Sequence, residues 1–345
     1  MKAVVIHGPS RISLDDVPIK KPGSGEALVR VKATGICGTD QELYTNEMVY
    51  IKEGLAKLPL IPGHEWSGVV ESLGPGVTKL VVGDKVTGEC TVSCGQCRYC
   101  RKGIVNMCEN RTETGIMNRD GAFAEYITFP VSHLHTFNTL SFEEASLIEP
   151  TAIALYAVMR GKVTPADNVL VSGPGPVGLQ AAQIAKKVFN AKRVILTGTR
   201  NERLERASGF DLDGIINIRE EDLETRVREL TQGEMIDVVI EESGGAGVFI
   251  DIAKIINPRG RIVLNGFFGD KKAPINWDAF TVKDVEIYGA LGSPNIWDEV
   301  IQLLESGKIS TKILISHRIA LKDFEKGLDL MVGRKENACK IIVEP

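Results

Sequence analysis

Between Asn168 and Phe189 the chain reads NVLVSGPGPVGLQAAQIAKKVF. A short β-branched, apolar run stops at a glycine turn, and the turn opens into a segment with apolar residues at helical spacing. Gly173, Gly175 and Gly178 stand at the spacing G-x-G-x-x-G between that strand and that helix. Each glycine has a task in such a turn: the tight bend, close approach of backbone to a pyrophosphate, and close packing of helix on strand. The unpaired N–H groups and partial positive charge of the helix start then face the phosphates. Val177, inside the same turn, is counted with the glycines as a dinucleotide contact. Pro174 and Pro176 have no N–H to offer and stiffen the loop. The competing reading is a tight strand–helix turn in some other α/β protein.

Outward from this turn, NVLVSG, RVILTG, IDVVIEESG, GRIVLNGFFG and VEIYGALG are apolar strand runs, and LQAAQIAKKVF, RLERAS and GVFIDIAKII between them have helical patterns. Apolar strands alternating with helices predict an α/β fold with a doubly wound parallel sheet over 150–293. The region before it is different. KAVVIHG, EALVRVKATG, GHEWSGVVESLG and AEYITFP are short alternating or β-branched runs closed by turn residues, so 1–149 is expected to be mostly β and barrel-like. The tail contributes two helices, around IWDEVIQLLESG and KDFEKGLDLM, and a last strand CKIIVE. Residues 294–345 are grouped with 1–149.

At 345 residues the chain has room for about two domains of ~100–200 residues each. Its net charge of −4 comes from interspersed acids and bases, which gives no nucleic-acid-binding surface. No apolar run approaches the ~18 residues a membrane helix needs, and MKAVVIHGPSRI reads as a strand rather than a leader. A cytoplasmic protein with reduced thiols is the expectation.

Four of the seven cysteines fall in CGQCRYCRKGIVNMC. The spacing Cys94-x2-Cys97-x2-Cys100-x7-Cys108 suits a tetrahedral structural zinc site. An iron–sulfur run of the two-cluster type would need a three-residue last gap followed by proline, whereas Glu109 follows here. Cys90 is left as a fifth thiol without a ligand role. GICGTDQELY and PGHEWSG supply a second group of candidates, Cys37, His64 and Glu65. Taken singly, each has a bland reading: a buried inert thiol, a turn pair, and, for Glu149 before Pro150, an acid at a helix start. His133 and His135 read as surface residues.

In their order along the chain, CGTD, GHE, the four-cysteine segment, the Glu149–Pro150 pair and the glycine fingerprint resemble the zinc-dependent medium-chain alcohol and polyol dehydrogenases. The resemblance runs through essentially the whole chain. It implies a Rossmann domain beside a GroES-like catalytic domain with a structural-zinc lobe. It also implies a catalytic zinc on Cys37, His64 and Glu149, with Glu65 beside it as an alternative ligand. Three protein ligands leave a position open for water or a substrate oxygen. Thr39 is placed to pass the alcohol proton, with Glu65 the other candidate catalytic group, and Asp40 supports the ligands from behind.

Two features depart from the family pattern. Glu42 stands where many members carry a relay histidine, and LGSPN stands where sorbitol-type members carry an arginine-containing segment. The expected activity is hydride transfer between NAD(P) and a secondary alcohol or ketone, a polyol, cyclitol or sugar. Alternatives are an L-threonine or amino-alcohol dehydrogenase, a zinc-free quinone reductase, and a nucleotide-binding scaffold with structural zinc only. An NAD-using turn places an acid about 20 residues past the fingerprint. Here Gly198 holds that place, followed by Thr199 and Arg200, with Arg203 a helical turn on. Arginine suits a 2′-phosphate, so NADP is expected in preference to NAD. A homo-oligomer, dimer or tetramer, is expected, joined through IVLNGFFG and VEIYGALG.

Overall fold

A computed structural model describes residues 1–269, 271–333 and 336–345. The chain divides into two units, Met1–Glu149 with Gly292–Pro345, and Pro150–Leu291. The return to the first unit comes at Gly292 rather than at 294. The last strand of the second unit ends at Gly289, and Gly292, at φ +67°, turns the chain away. Among the described residues no helix is long and apolar enough to cross a membrane.

The second unit is built on a six-stranded sheet. Its spatial order is Gly214–Asn217, Arg193–Gly198, Asn168–Ser172, Ile236–Glu241, Ile256–Leu264 and Glu286–Gly289. Every neighbouring pair is parallel. This is the doubly wound order in which the first strand is central and the sheet grows outward from it on both sides. All five residues of Asn168–Ser172 are buried, as a central strand covered on both faces requires. Leu170, Ile195, Ile216, Val239, Ile252 and Ile262 pack into one core, each worth about 1.5–3 kcal/mol of apolar burial.

The strand Gly214–Asn217 is absent from the sequence reading. It is only four residues long and lies between acidic segments, yet Ile216 is fully buried. The strand expected over GRIVLNGFFG instead spans Ile256–Leu264, so NGFFG lies beyond it. The helix expected at RLERAS is a single short turn, Asn201–Leu204, followed by a 3-10 turn.

In the first unit a mostly antiparallel sheet runs Leu134–Thr136, Lys85–Gly88, Glu65–Leu73, Glu26–Gly35, Lys340–Glu344, Ile315–Ala320, with Tyr126–Pro130 also on Glu26–Gly35. Trp66 and Phe129 meet edge to face at 5.3 Å in its core. One register decides the chemistry. Gly35 pairs with Glu65 on one side and with Ile342 on the other, so the C-terminal strand is carried to the edge of the GHE segment. A small sheet of Thr91–Val92, Thr112–Thr114 and Asn118–Arg119 brackets the thiol-rich segment.

Candidate metal centres and dinucleotide turn

The four thiols Cys94, Cys97, Cys100 and Cys108 converge with all sulfurs within 4.8 Å of one another. Cys97 Sγ lies 3.5 Å from Cys100 Sγ and 3.9 Å from Cys108 Sγ. A tetrahedron of Zn–S bonds of about 2.3 Å sets its sulfurs ~3.8 Å apart, so the cage fits a single zinc ion and leaves no room for a cube of iron and sulfide. Backbone amides prepare the sulfurs: Cys94 N–H donates to Cys108 Sγ at 3.3 Å and Asn110 N–H at 3.4 Å. Backbone N–H groups of Gln96 and Cys97 hold the Cys94 thiol down at about 6, while burial pushes Cys108 up to about 12. Two 3-10 turns, Cys100–Lys102 and Val105–Met107, fold the long gap so that Cys108 can close the cage.

In the second cluster the Cys37 sulfur, a ring nitrogen of His64 and a carboxylate oxygen of Glu65 lie within 4.8 Å of one another. Cys37 caps the helix Gly38–Thr45, and its backbone N–H donates to Asp40 Oδ2 at 2.8 Å. Asp40 Oδ1 faces His64 Nδ1 at 3.9 Å, an ion-pair distance. Thr39 Oγ1 is 3.8 Å from Cys37 Sγ. Glu65 and Lys340, 1% and 3% exposed, form a buried ion pair through Glu65 Oε1. Lys340 also donates to the Ile36 carbonyl at 3.3 Å. A Cβ on Gly35 would come within 2.4 Å of Glu65 Oε2, so the glycine keeps the space that this carboxylate fills.

Glu149 stands, buried, in the first turn of the helix Ile148–Arg160. Burial raises its carboxyl to about 7, with His64 and Lys340 opposing and Glu65 adding to the rise. Burial likewise raises Asp40 to about 6. Burial disfavours the charged His64 ring, but Cys37, Asp40 and Glu149 together hold its pKa well above the ordinary value. His64 Nδ1 and Glu65 Oε2 are buried without a hydrogen-bond partner. Buried polar atoms are seldom left so, and a cation shared by thiol, imidazole and carboxylate would satisfy Glu65 Oε2. Sequence reasoning missed Lys340; its one signal is a lysine opening the otherwise apolar strand KIIVE. His135, read as a surface residue, is half-buried. Its ring bridges Glu89 at 2.9 Å and Asp298 at 2.7 Å and stacks on Trp297.

In the second unit Gly173 takes φ +106°, a conformation that L side chains rarely adopt. A Cβ on Gly178 would fall 1.9 Å from the Gly173 carbonyl oxygen, so helix and turn approach this closely only through glycine. Gly175 is the N-cap of the helix Pro176–Lys187, and Val177 lies in its first turn. Pro176 suits a helix start, and Lys186 and Lys187 complement its carbonyl end. Thr199 is exposed, Arg200 caps the short helix Asn201–Leu204, and Arg203 is in that helix. Glu242 is a second omission of the sequence reading. It follows the strand Ile236–Glu241 beside Gly178, and both its oxygens accept from Asn265 Nδ2 at 2.9 Å.

Residues 23–139 match the alcohol dehydrogenase GroES-like domain, and residues 176–306 match the zinc-binding dehydrogenase family. The sorbitol dehydrogenase of Bacillus subtilis is 32% identical over 100% of this chain and 97% of its own length. The chain belongs to the zinc-dependent medium-chain alcohol and polyol dehydrogenases. Two solved members of similar fold cover 100% of this dehydrogenase and 99% of their own chains. An alcohol dehydrogenase of E. coli CFT073, in complex with NADH, is 30% identical with a TM-score of 0.92. A zinc-binding dehydrogenase of Sinorhizobium meliloti 1021, bound to NADP, is 28% identical with a TM-score of 0.91. This dehydrogenase is therefore an NAD(P)-dependent oxidoreductase rather than a scaffold.

Proposed function

We propose that this enzyme moves a hydride between NADP and the secondary alcohol carbon of a polyol, cyclitol or sugar. The observation that carries the reading is the buried cluster of Cys37, His64 and Glu65 with Glu149 in electrostatic reach. When bound there, zinc supplies a Lewis acid that lowers the pKa of an alcohol and polarises the carbonyl in the reverse direction. Cys37 and His64 hold the ion. Glu65 takes the third place, because its free oxygen belongs to the cluster, and Glu149 is the exchanging carboxylate. This reverses the order expected from the sequence. Asp40 orients His64, and the Thr39 hydroxyl receives the alcohol proton. Cys94, Cys97, Cys100 and Cys108 hold the second, structural zinc.

Gly173, Gly175, Val177 and Gly178 seat the pyrophosphate. The 2′-phosphate is assigned to Thr199, Arg200 and Arg203. Gly198 supports this less than its sequence position suggests. A Cβ there would meet the Pro174 ring at 2.6 Å, so packing alone demands glycine. The argument for NADP rests on Arg200 and Arg203. We assign the enzyme to the cytoplasm, where thiols like its free cysteines stay reduced, and to a dimer or tetramer.

A panel of polyols, cyclitols, aldoses and amino alcohols, run with NAD and NADP and read by nicotinamide absorbance, tests the reading together with metal analysis. Expected are zinc at both centres, turnover with a polyol-type alcohol, loss of turnover in His64→Ala, and a KM for NADP raised about 10- to 100-fold in Arg200→Ala. Preference for NAD by kcat/KM would overturn the cofactor assignment. Wild-type kcat in His64→Ala would overturn the metal assignment.

A further inference from the structure

The first unit carries a concavity lined by none of the metal-centre residues. An open cavity of about 990 Å³ is bounded by segments from Val17–Lys21, Lys57–Ile61 and Asn118–Thr128. Its floor is apolar: Val5, Leu60, Ile61 and Ile127 line it and are each less than a tenth exposed, and Ile19 lies along it 45% exposed. Its rim is cationic. Lys20 pairs with Asp120 at 2.8 Å, and Glu26, which keeps its charge, accepts from the Gly23 N–H at 2.9 Å. Lys21, Lys57 and Arg119 are in no ion pair among the described residues. Arg119 is half-buried: its Nε donates to Thr112 Oγ1 at 3.0 Å and its guanidinium faces the Phe129 ring at 5.7 Å. Removal from water lowers its pKa, with Glu26 and Asp120 opposing only in part.

In a chain of net charge −4, a rim carrying Lys20, Lys21, Lys57 and Arg119 against Glu26 and Asp120 around an apolar floor is a local reversal of charge. A cation partly out of water gains most from an anion that shares its desolvation. Cavities of ~300–1,000 Å³ accept one drug-sized molecule. We propose that this cavity binds an organic anion with an apolar body, an acyl or aryl group bearing a carboxylate or a phosphate. The body rests on Ile19, Leu60 and Ile127, and the head lies among Lys21, Lys57 and Arg119. The wall Pro59–Ile61 continues directly into Pro62, Gly63 and His64, so an occupant abuts the segment that carries a zinc ligand.

Calorimetric titration of the zinc-loaded, full-length enzyme tests this. The probes are dodecanoate and dodecyl phosphate below their micelle concentrations, dodecyltrimethylammonium as the cation of equal chain length, and inorganic phosphate as the anion without a body. Saturable binding of either or both anionic amphiphiles, and of neither control, supports the site and distinguishes carboxylate from phosphate heads. Lys21→Glu with Lys57→Glu should then weaken binding about tenfold or more, and Ile19→Asp should weaken it independently. All three side chains are exposed, so unchanged thermal melting and alcohol turnover accompany the loss. Absence of saturable binding, equal binding of the cation, or unchanged affinity in the Lys21/Lys57 variant overturns the proposal. So does loss of subunits by that variant when the wild type binds no amphiphile, which would make the occupant a second copy of this chain.

Discussion

Lys340 and Glu65 lie 275 residues apart in the chain and meet as a buried ion pair. Breaking such a pair from one side strands a charge and costs about 3–5 kcal/mol. Lys340→Met should therefore destabilise the zinc-free protein by roughly that amount in denaturant titration. Zinc at Cys37, His64 and Glu65 gives the carboxylate a second cation, so the loss should shrink in the zinc-loaded form. Glu65→Gln with Lys340→Met should recover much of the stability in a double-variant cycle. Equal destabilisation with and without zinc would argue against Glu65 as a ligand. At this scale Cys37, His64 and Glu65 stood out as candidates because ligand chemistry restricts which residue types can serve, and Glu149 entered only through the family resemblance. Lys340 was not, since a lysine at a strand start is ordinarily solvated.

The element with the most chemistry is the turn-and-helix unit over Gly173–Lys187 with the neighbouring end of the strand Ile236–Glu241. Burial raises the Glu242 carboxyl to about 8, with Asn265 opposing. Between the ordinary value of 4.5 and about 8 the unfolded chain has lost a proton that the folded chain keeps. Stability therefore falls as pH rises through that window and levels off above it. Above about 8 a carboxylate also lies beside the Gly173–Gly178 turn, so dinucleotide affinity should drop there if that turn seats the pyrophosphate as proposed. Glu242→Gln should flatten the contribution to both profiles, seen by denaturation and by dinucleotide titration across the window. An affinity profile identical in wild type and variant would remove Glu242 from the site. The strand and helix of this unit were legible from periodicity and glycine spacing. The role of Glu242 was not, because its neighbours Gly178 and Asn265 come from other segments.

For the whole molecule, exposed apolar side chains gather late in the second unit. Phe267 is 60% exposed, Trp277 56%, Val282 81% and Ile287 40%. Ile287 lies on Glu286–Gly289, an end strand of the six-stranded sheet. Open apolar edges invite pairing with another chain. Light scattering at micromolar concentration should report a dimer or tetramer, and Ile287→Lys should lower the mass while leaving zinc content unchanged. A monodisperse wild-type monomer would sink this. The runs IVLNGFFG and VEIYGALG were both expected at an edge; Glu286–Gly289 is the end strand, whereas Ile256–Leu264 is paired on both sides, a fact of strand order.

The amino-acid sequence by itself determined the alternation of strands and helices in Pro150–Leu291, the fingerprint turn and the gathering of Cys94, Cys97, Cys100 and Cys108. These depend on period, backbone conformation and short spacing, which are local. Tertiary structure alone decided that Lys340 pairs with one oxygen of Glu65 and leaves the other to the cluster with Cys37 and His64. It also decided that Gly198 is demanded by Pro174, and that Lys21, Lys57 and Arg119 surround one cavity. Those outcomes follow from strand register and packing between distant segments, where a shift of one residue would turn every side chain to the other face.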